Sequence, residues 1–156
     1  LTTSTIPPVV ITNGPAVSPD GGTLYHVDTL GHTIHAVPVD GATTGTPRPF
    51  ATIDAADGYP DGVTVDAEGG VWVGLWGGWS ARRYAPDGTL DRIVRFPVAN
   101  ITKVAFGGDD LRTGFATSAS KGLSDEERAD QPEAGSLFAF DVDVPGRVLP
   151  LAKVEG

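Results

Sequence analysis

YPDGVTVDAEGGVWVG, residues 59–74, is the stretch that decides the fold. Apolar and polar residues alternate over 63–65, as they do in a half-buried strand. Residues 67–70 combine an acidic side chain with two glycines, which tolerate the positive φ angles of a tight turn. Residues 71–73 are β-branched and aromatic, which suits a return strand. The stretch therefore predicts a β-hairpin, with Asp61 just before its first strand.

Two further copies of this hairpin lie elsewhere in the chain. Residues 13–28 (NGPAVSPDGGTLYHVD) align with it at a shift of 48 positions, which places Asn13 on Asp61. Residues 104–117 (VAFGGDDLRTGFAT) form a third copy, 89 positions after the first, which places Thr102 on Asn13. Repeats of about 40–50 residues with four strands each are typical of propeller blades. The sequence thus predicts an all-β chain of about three four-stranded blades, with repeat units that start near 13, 61 and 102.

The segments between the repeats read as outer strands, turns and one short helix. Ser124 precedes three acidic residues, which is typical of a helix N-cap, so a short helical piece is expected within 124–134. This piece is either a lid over the channel or an ordinary exposed insertion. Three blades cannot close a ring, so the remaining blades are either missing or supplied by another chain. Strands are expected at 9–11, 33–40, 48–53, 81–85, 91–96, 135–140 and 148–153.

Composition excludes several classes of partner. The chain has 156 residues and a formal net charge of −9, which argues against binding to nucleic acid or to an anionic membrane surface. No apolar run approaches the roughly 20 residues that a membrane-spanning helix needs. The chain has no cysteine, hence no disulfide framework, and no signal peptide is visible. It also has no methionine, so we expect Leu1 to be internal to a longer polypeptide. We further expect the protein to be cytoplasmic.

The aligned repeats suggest one place where ligands could meet. The innermost strands of all blades run along the central channel, so residues just before those strands converge on one axis. Asn13, Asp61 and Thr102 occupy that position in the three repeats. An amide oxygen and a carboxylate that converge would suit a hard cation. The alternative is that Asn-Gly and Asp-Gly only mark turns, and the pattern alone leaves both readings open.

Other residue types have weaker patterns. Trp76 and Trp79 follow the return strand of the second repeat, and either ring could line the channel mouth or pack in the core or rim. His26, His32 and His35 do not predict a zinc site, because the last two would lie on opposite faces of a strand.

Several blocks of the chain also match a known family, in the family's order: 13–21, 24–29, 60–69, 71–73, 77–78, 106–108 and 131–138. In these blocks the chain resembles the SMP-30/gluconolactonase/LRE family of regucalcin-like, six-bladed propellers, and most closely the bacterial sugar lactonases. The resemblance implies that residues 1–156 form the C-terminal half of a single six-bladed β-propeller domain.

The resemblance also implies a metal site and a reaction. In that family one divalent metal is held by a Glu from the first blade, an Asn and an Asp. Asn13 and Asp61 match the Asn and the Asp, whereas the Glu belongs to the half that this chain does not contain. The implied activity is metal-dependent hydrolysis of a sugar lactone in carbohydrate metabolism, with Asp61 also the candidate general base. Ca²⁺, Mg²⁺, Mn²⁺, Zn²⁺ and Fe²⁺ remain open as the metal, and Thr102 and Trp76 are candidate substrate contacts.

A second hypothesis belongs to a different class. Without the first-blade Glu, the chain could be a non-catalytic half-propeller that serves as a binding or structural module. Under either hypothesis its partners are expected to be the N-terminal half of the propeller or a second copy of the chain. A small sugar lactone is expected as substrate only under the first, and nucleic acid and membrane are expected under neither.

Overall fold

Three antiparallel β-sheets follow one another along the chain, in the order that the repeats predict. The structure is a computed structural model that describes Ser4 and residues 6–148. The first sheet comprises β1 (Thr12–Val17), β2 (Thr23–Asp28), β3 (Thr33–Asp40), β4 (Thr43–Thr44) and β5 (Arg48–Thr52). From here on, the blades are numbered within this chain, so this sheet is called the first blade. β1, β2 and β3 pair in order, and β4 and β5 share the outer edge of β3. The strand predicted at 9–11 is wrong, because pairing with β2 begins only at Thr12.

The second and third blades repeat the antiparallel pairing, with four and three described strands. A 3₁₀ turn at Ala55–Asp57 leads into the second blade, whose four strands pair in order: β6 (Tyr59–Val65), β7 (Val71–Trp76), β8 (Ser80–Tyr84) and β9 (Leu90–Arg95). The third blade comprises β10 (Ile101–Gly107), β11 (Thr113–Ser118) and β12 (Leu137–Asp141). Most of the predicted closing strand, 149–153, lies outside the described residues, and Val148 is not in a strand. The all-β, partial-propeller fold is thereby confirmed.

The predicted helical piece is a single short helix, α1 (Asp125–Asp130), between β11 and β12. Its first turn is closed by a capping box: Ser124 Oγ accepts from Glu127 N at 3.2 Å, and Ser124 N donates to Glu127 Oε2 at 2.7 Å. No residue of α1 is buried, but Gln131 beyond it is buried and accepts a hydrogen bond from Ala99 N at 2.7 Å. No helix in the described part of the chain is long and apolar enough to cross a membrane.

Each innermost strand contains an irregularity at the same place. The register of pairing shifts just after Asn13 in β1, around Asp61 in β6 and around Thr102 in β10. A β-bulge of this kind leaves a residue unpaired and changes the direction of its side chain. The three aligned residues therefore lie within strands, at bulges, and not before the strands as the sequence predicted.

Strand β7 separates two hydrophobic cores, because its alternate residues face opposite sides of the second blade. Val71 and Val73 are fully buried against residues of the first blade. Trp72, on the other face, packs against the third blade, with ring centroids 6.0 Å from Phe106 and 5.8 Å from Phe140. Each fully buried valine contributes about 1.5–3 kcal/mol. Residues on both faces of β7 therefore contribute to the packing between neighbouring blades.

The third blade approaches the second closely at two glycines. A Cβ atom on Gly74 would lie 2.7 Å from the carbonyl carbon of Thr102 and 2.8 Å from Ile101 O. A Cβ atom on Gly62 would lie 2.9 Å from Thr102 O. These contacts are shorter than real Cβ atoms allow, so only glycine lets β10 lie against the β6–β7 hairpin at these points.

A buried carboxylate organises the turn of that hairpin. Asp66 is 0% exposed, and its Oδ1 accepts from Glu68 N at 3.0 Å and Gly70 N at 2.8 Å. Its Oδ2 accepts from Trp72 Nε1 at 3.0 Å and from Arg83 Nε at 2.7 Å. The charge of Asp66 is therefore balanced by a guanidinium, and its oxygens are fully occupied by donors. This network ties the β6–β7 turn to β8 and to the indole between the second and third blades.

Candidate active site

A depression of about 400 Å³ opens where the first two blades meet. In each antiparallel hairpin the start of the first strand lies beside the end of the second, so Thr12 pairs with Asp28 and Tyr59 pairs with Trp76. Residues from these strand ends therefore gather at one end of the sheets. The described residues that line the depression are Ile11, Asn13, Thr29, Leu30, Tyr59, Asp61 and Trp76.

Asn13 contributes an amide whose orientation is fixed by its neighbour. Its Nδ2 donates to Thr29 Oγ1 at 2.9 Å, and Thr29 is buried. The backbone of Thr29 is held in turn by its N–H, which donates to Ile11 O at 3.1 Å. With the amide nitrogen engaged, Oδ1 of Asn13 remains as an acceptor without a hydrogen-bond donor among the described residues. An amide oxygen held in this way is suited to binding a cation.

Asp61 contributes a carboxylate that is half-buried and lacks a hydrogen-bond donor in the described part of the chain. Burial raises the pKa of this carboxyl above its ordinary value of 3.8, and the positive charge of Lys103 acts in the opposite direction. Lys103 is held nearby because its Nζ donates to Val63 O at 3.2 Å. A partly desolvated carboxylate without a donor is stabilised by a bound cation, so its environment fits a metal ligand.

The walls around these two oxygen donors are mostly apolar. Ile11, Leu30 and Tyr59 are exposed at the rim, and Trp76 is half-buried. Trp76 is bordered on another side by the loop before α1, since a Cβ atom on Gly122 would lie 3.6 Å from its Cζ2 atom. The sequence suggested Trp76 but not the other three. These three residues could have been predicted from the strand pairing, because each lies at a strand end beside Asn13 or Asp61.

Thr102, the third aligned position, is not among the described residues that line the depression. Its hydroxyl lies 2.6 Å from Thr117 Oγ1 on the neighbouring strand and shares a hydrogen bond with it. Trp79 likewise does not line the depression. The structure thus brings Asn13, Asp61 and Trp76 together and directs the side chain of Thr102 to its own sheet.

The three histidines do not line this depression. His32 lies in the turn after β2 with a φ of +51°, so its predicted place on a strand is wrong. His26 and His35 pair across β2 and β3 and stack, with ring centroids 5.1 Å apart. Among the described residues there is no group of three or more His, Cys, Asp or Glu side chains that could hold a metal ion.

The chain is similar to known proteins over most of its length. The family described as SMP-30/Gluconolactonase/LRE-like region matches residues 2–120. The chain is 40% identical over 149 residues to a 6-deoxy-6-sulfogluconolactonase of Pseudomonas putida, covering 92% of this chain and 50% of the relative. It is also 40% identical over 134 residues to an L-arabinolactonase of Azospirillum brasilense, covering 85% of this chain and 44% of the relative.

The similarity extends to solved structures. A crystal structure described as a calcium-binding protein, regucalcin, from Agrobacterium tumefaciens superposes with a TM-score of 0.87 at 34% identity. The match covers 94% of this chain and 50% of that protein. The chain therefore spans about half the length of the relatives that it matches.

Proposed function

Because the chain belongs to the SMP-30/gluconolactonase/LRE-like family, we propose that it supplies part of the active site of a metal-dependent sugar lactonase. The observation that carries the proposal is that Asn13 and Asp61, 48 positions apart in sequence, line one depression. Both present oxygen atoms without a hydrogen-bond donor among the described residues. The names of the relatives, which are lactonases of two different sugar acids, support the reaction class.

The donor set fits a divalent cation. A carboxylate and an amide oxygen are hard ligands, which favour Ca²⁺, Mg²⁺ or Mn²⁺, while Zn²⁺ and Fe²⁺ also bind such oxygens. Asn13 Oδ1 and Asp61 would hold the ion from this chain. A bound cation would act as a Lewis acid on the lactone carbonyl. Two protein ligands are few, so the remaining ligands come from outside the described residues.

Asp61 also has a role in proton transfer. A carboxylate has two oxygens, so one can accept a proton from the attacking water while the other remains a ligand. The water oxygen bonds to the carbonyl carbon, the ring C–O bond breaks, and the ring oxygen leaves as a hydroxyl with a proton returned by Asp61. The product is the open hydroxy acid. Trp76 would contact the substrate beside the reacting carbonyl.

The rest of the propeller is part of the proposal. The described residues form three sheets, and a closed propeller has more. We infer that the missing blades and the third protein ligand come from the N-terminal half of the protein or from a second copy of this chain. Either would complete the channel around Asn13 and Asp61.

The test is lactone opening by the natural protein, at its full length and with any subunit that it retains. Acid release from glucono-1,5-lactone and arabinono-1,4-lactone is followed at constant pH and corrected for spontaneous opening. We expect EDTA to abolish the catalysed rate and added divalent metal to restore it. Asp61→Ala should lower the rate by about 100-fold or more, whereas Asp87→Ala, in an exposed turn, should not. An undiminished rate with Asp61→Ala would overturn the proposal.

A further inference from the structure

An aromatic ring is exposed beside the two oxygen donors. Tyr59 begins β6, two residues before Asp61, and is 42% exposed although it is large and mostly apolar. Its cross-strand partner on β7 is Trp76, and both side chains line the depression that contains Asn13 and Asp61. Exposed aromatic side chains grouped at a concave site mark places where ligands bind.

The ring of Tyr59 is supported from the first blade. The imidazole of His32 packs against it, with centroids 4.6 Å apart and planes inclined at 31°. His32 is itself anchored: its Nδ1 lies 3.2 Å from Gly58 O, and its carbonyl accepts from Ile53 N at 2.9 Å. Tyr59 thus has a fixed neighbour on one side while a large part of its surface remains open. Such support lowers the entropy that ordering the ring on binding would cost.

The charge of the residues that line the depression limits which ligands can bind beside the two aromatic rings. Of the described residues that line it, Asp61 alone carries a charge. The nearest walls, Ile11, Leu30 and the two aromatic rings, are apolar. Lys103, whose charge acts on Asp61, does not line the depression, so an anionic group placed among these walls would meet a carboxylate and no lining cation. The surroundings favour an uncharged ring with C–H groups on one face and hydroxyls at its edge.

We propose that Tyr59 and Trp76 form an aromatic subsite that receives the apolar face of the sugar ring of the lactone. The inference rests on the proposed function and extends it to the part of the substrate that does not react. The C–H groups of a sugar face carry partial positive charge, and the face of an aromatic ring carries negative potential, so the two attract. This contact is the same before and during ring opening. It therefore lowers KM and leaves kcat nearly unchanged.

The experiment compares three variants of the natural full-length protein. Tyr59→Leu removes the ring but keeps apolar bulk, and Tyr59→Phe keeps the ring. Trp79→Leu is the matched control, since Trp79 is also 42% exposed but does not line the depression. We expect Tyr59→Leu to raise KM for glucono-1,5-lactone about 3- to 10-fold with kcat within about 2-fold. Tyr59→Phe, which keeps the ring, should reverse most of the rise in KM seen in Tyr59→Leu, and Trp79→Leu should match the wild type.

A binding measurement separates this inference from the proposed function. The probe is 1,5-anhydro-D-glucitol, a cyclic ether that keeps the sugar ring but has no carbonyl to hydrolyse. We expect its binding, followed by tryptophan fluorescence, to weaken by the same factor in Tyr59→Leu. Equal KM and equal probe binding in wild type and Tyr59→Leu would overturn the subsite, even if Asp61→Ala is inactive. If Asp61→Ala retains activity, the proposed mechanism fails, and probe binding still decides the subsite.

Discussion

Replacing Asp66 with alanine should destabilise the protein more than any surface substitution. The substitution removes the acceptor of four hydrogen bonds and leaves the N–H of Trp72 and two backbone N–H groups without a partner. It also leaves the guanidinium of Arg83, whose side chain is 8% exposed, without its buried counter-ion. Removing one member of a buried ion pair costs about 3–5 kcal/mol. Arg83 keeps Asp91 at 2.7 Å, so we expect a value near the lower end of that range.

Urea unfolding of the natural protein, followed by tryptophan fluorescence, measures this cost. A loss of about 3 kcal/mol with a slope of about 1–3 kcal/mol/M lowers the midpoint by about 1–3 M. Asp87→Ala is the matched control, because Asp87 also closes a turn, accepting from Thr89 N at 2.9 Å, but is exposed. Its midpoint should shift much less. If Asp66→Ala and Asp87→Ala shifted the midpoint equally, the reasoning about the buried network would be refuted.

Two further predictions concern pH and packing. Burial lowers the pKa of His26 below its ordinary 6.5, so the unfolded chain binds the proton more readily and stability falls as pH drops below 6.5. The urea midpoint of His26→Gln should therefore decrease less than that of the wild type between pH 7.5 and 5, and parallel decreases would contradict this. Gly74→Ala should cost about 1–3 kcal/mol, because its Cβ would lie 2.7 Å from the backbone of Thr102. Gly22→Ala, with nothing closer than 3.6 Å, is the control, and equal midpoints would refute the close approach.

The architecture could be predicted from the sequence because each repeat contains its own turn chemistry. The acidic-glycine turn at 67–70 and its counterpart at 20–22 fall between paired strands, as the alternation of apolar residues indicates. The alignment also placed Asn13 and Asp61 at equivalent positions of two repeats, and both residues line the depression. Local periodicity and repetition were sufficient for this, because the blades are built alike.

The details that depend on contacts between blades could not be predicted. Bulges place Asn13 and Asp61 inside strands, and sequence alone does not show where a register shifts. The hydroxyl of Thr102 turned to a partner within its own sheet, although its position in the repeat is equivalent. The buried network of Asp66 was not predicted, since its partner Arg83 is 17 positions away on another strand. Tyr59 was missed because its exposure depends on how the first blade packs beside it.

The most direct test of the account is calorimetric titration of the metal-free natural protein with Mn²⁺ and Ca²⁺. If Asn13 and Asp61 hold the cation together, the titration of the wild type should show one bound ion for each pair of Asn13 and Asp61 side chains. Asn13→Ala and Asp61→Asn should each weaken that binding by more than about 10-fold. Loss of a residue that only hydrogen-bonds to a metal ligand already costs about 10-fold, so loss of a direct ligand should cost more. Thr102→Ala should leave the affinity unchanged, because its hydroxyl bonds to Thr117. Undiminished metal affinity in both Asn13→Ala and Asp61→Asn would contradict the account.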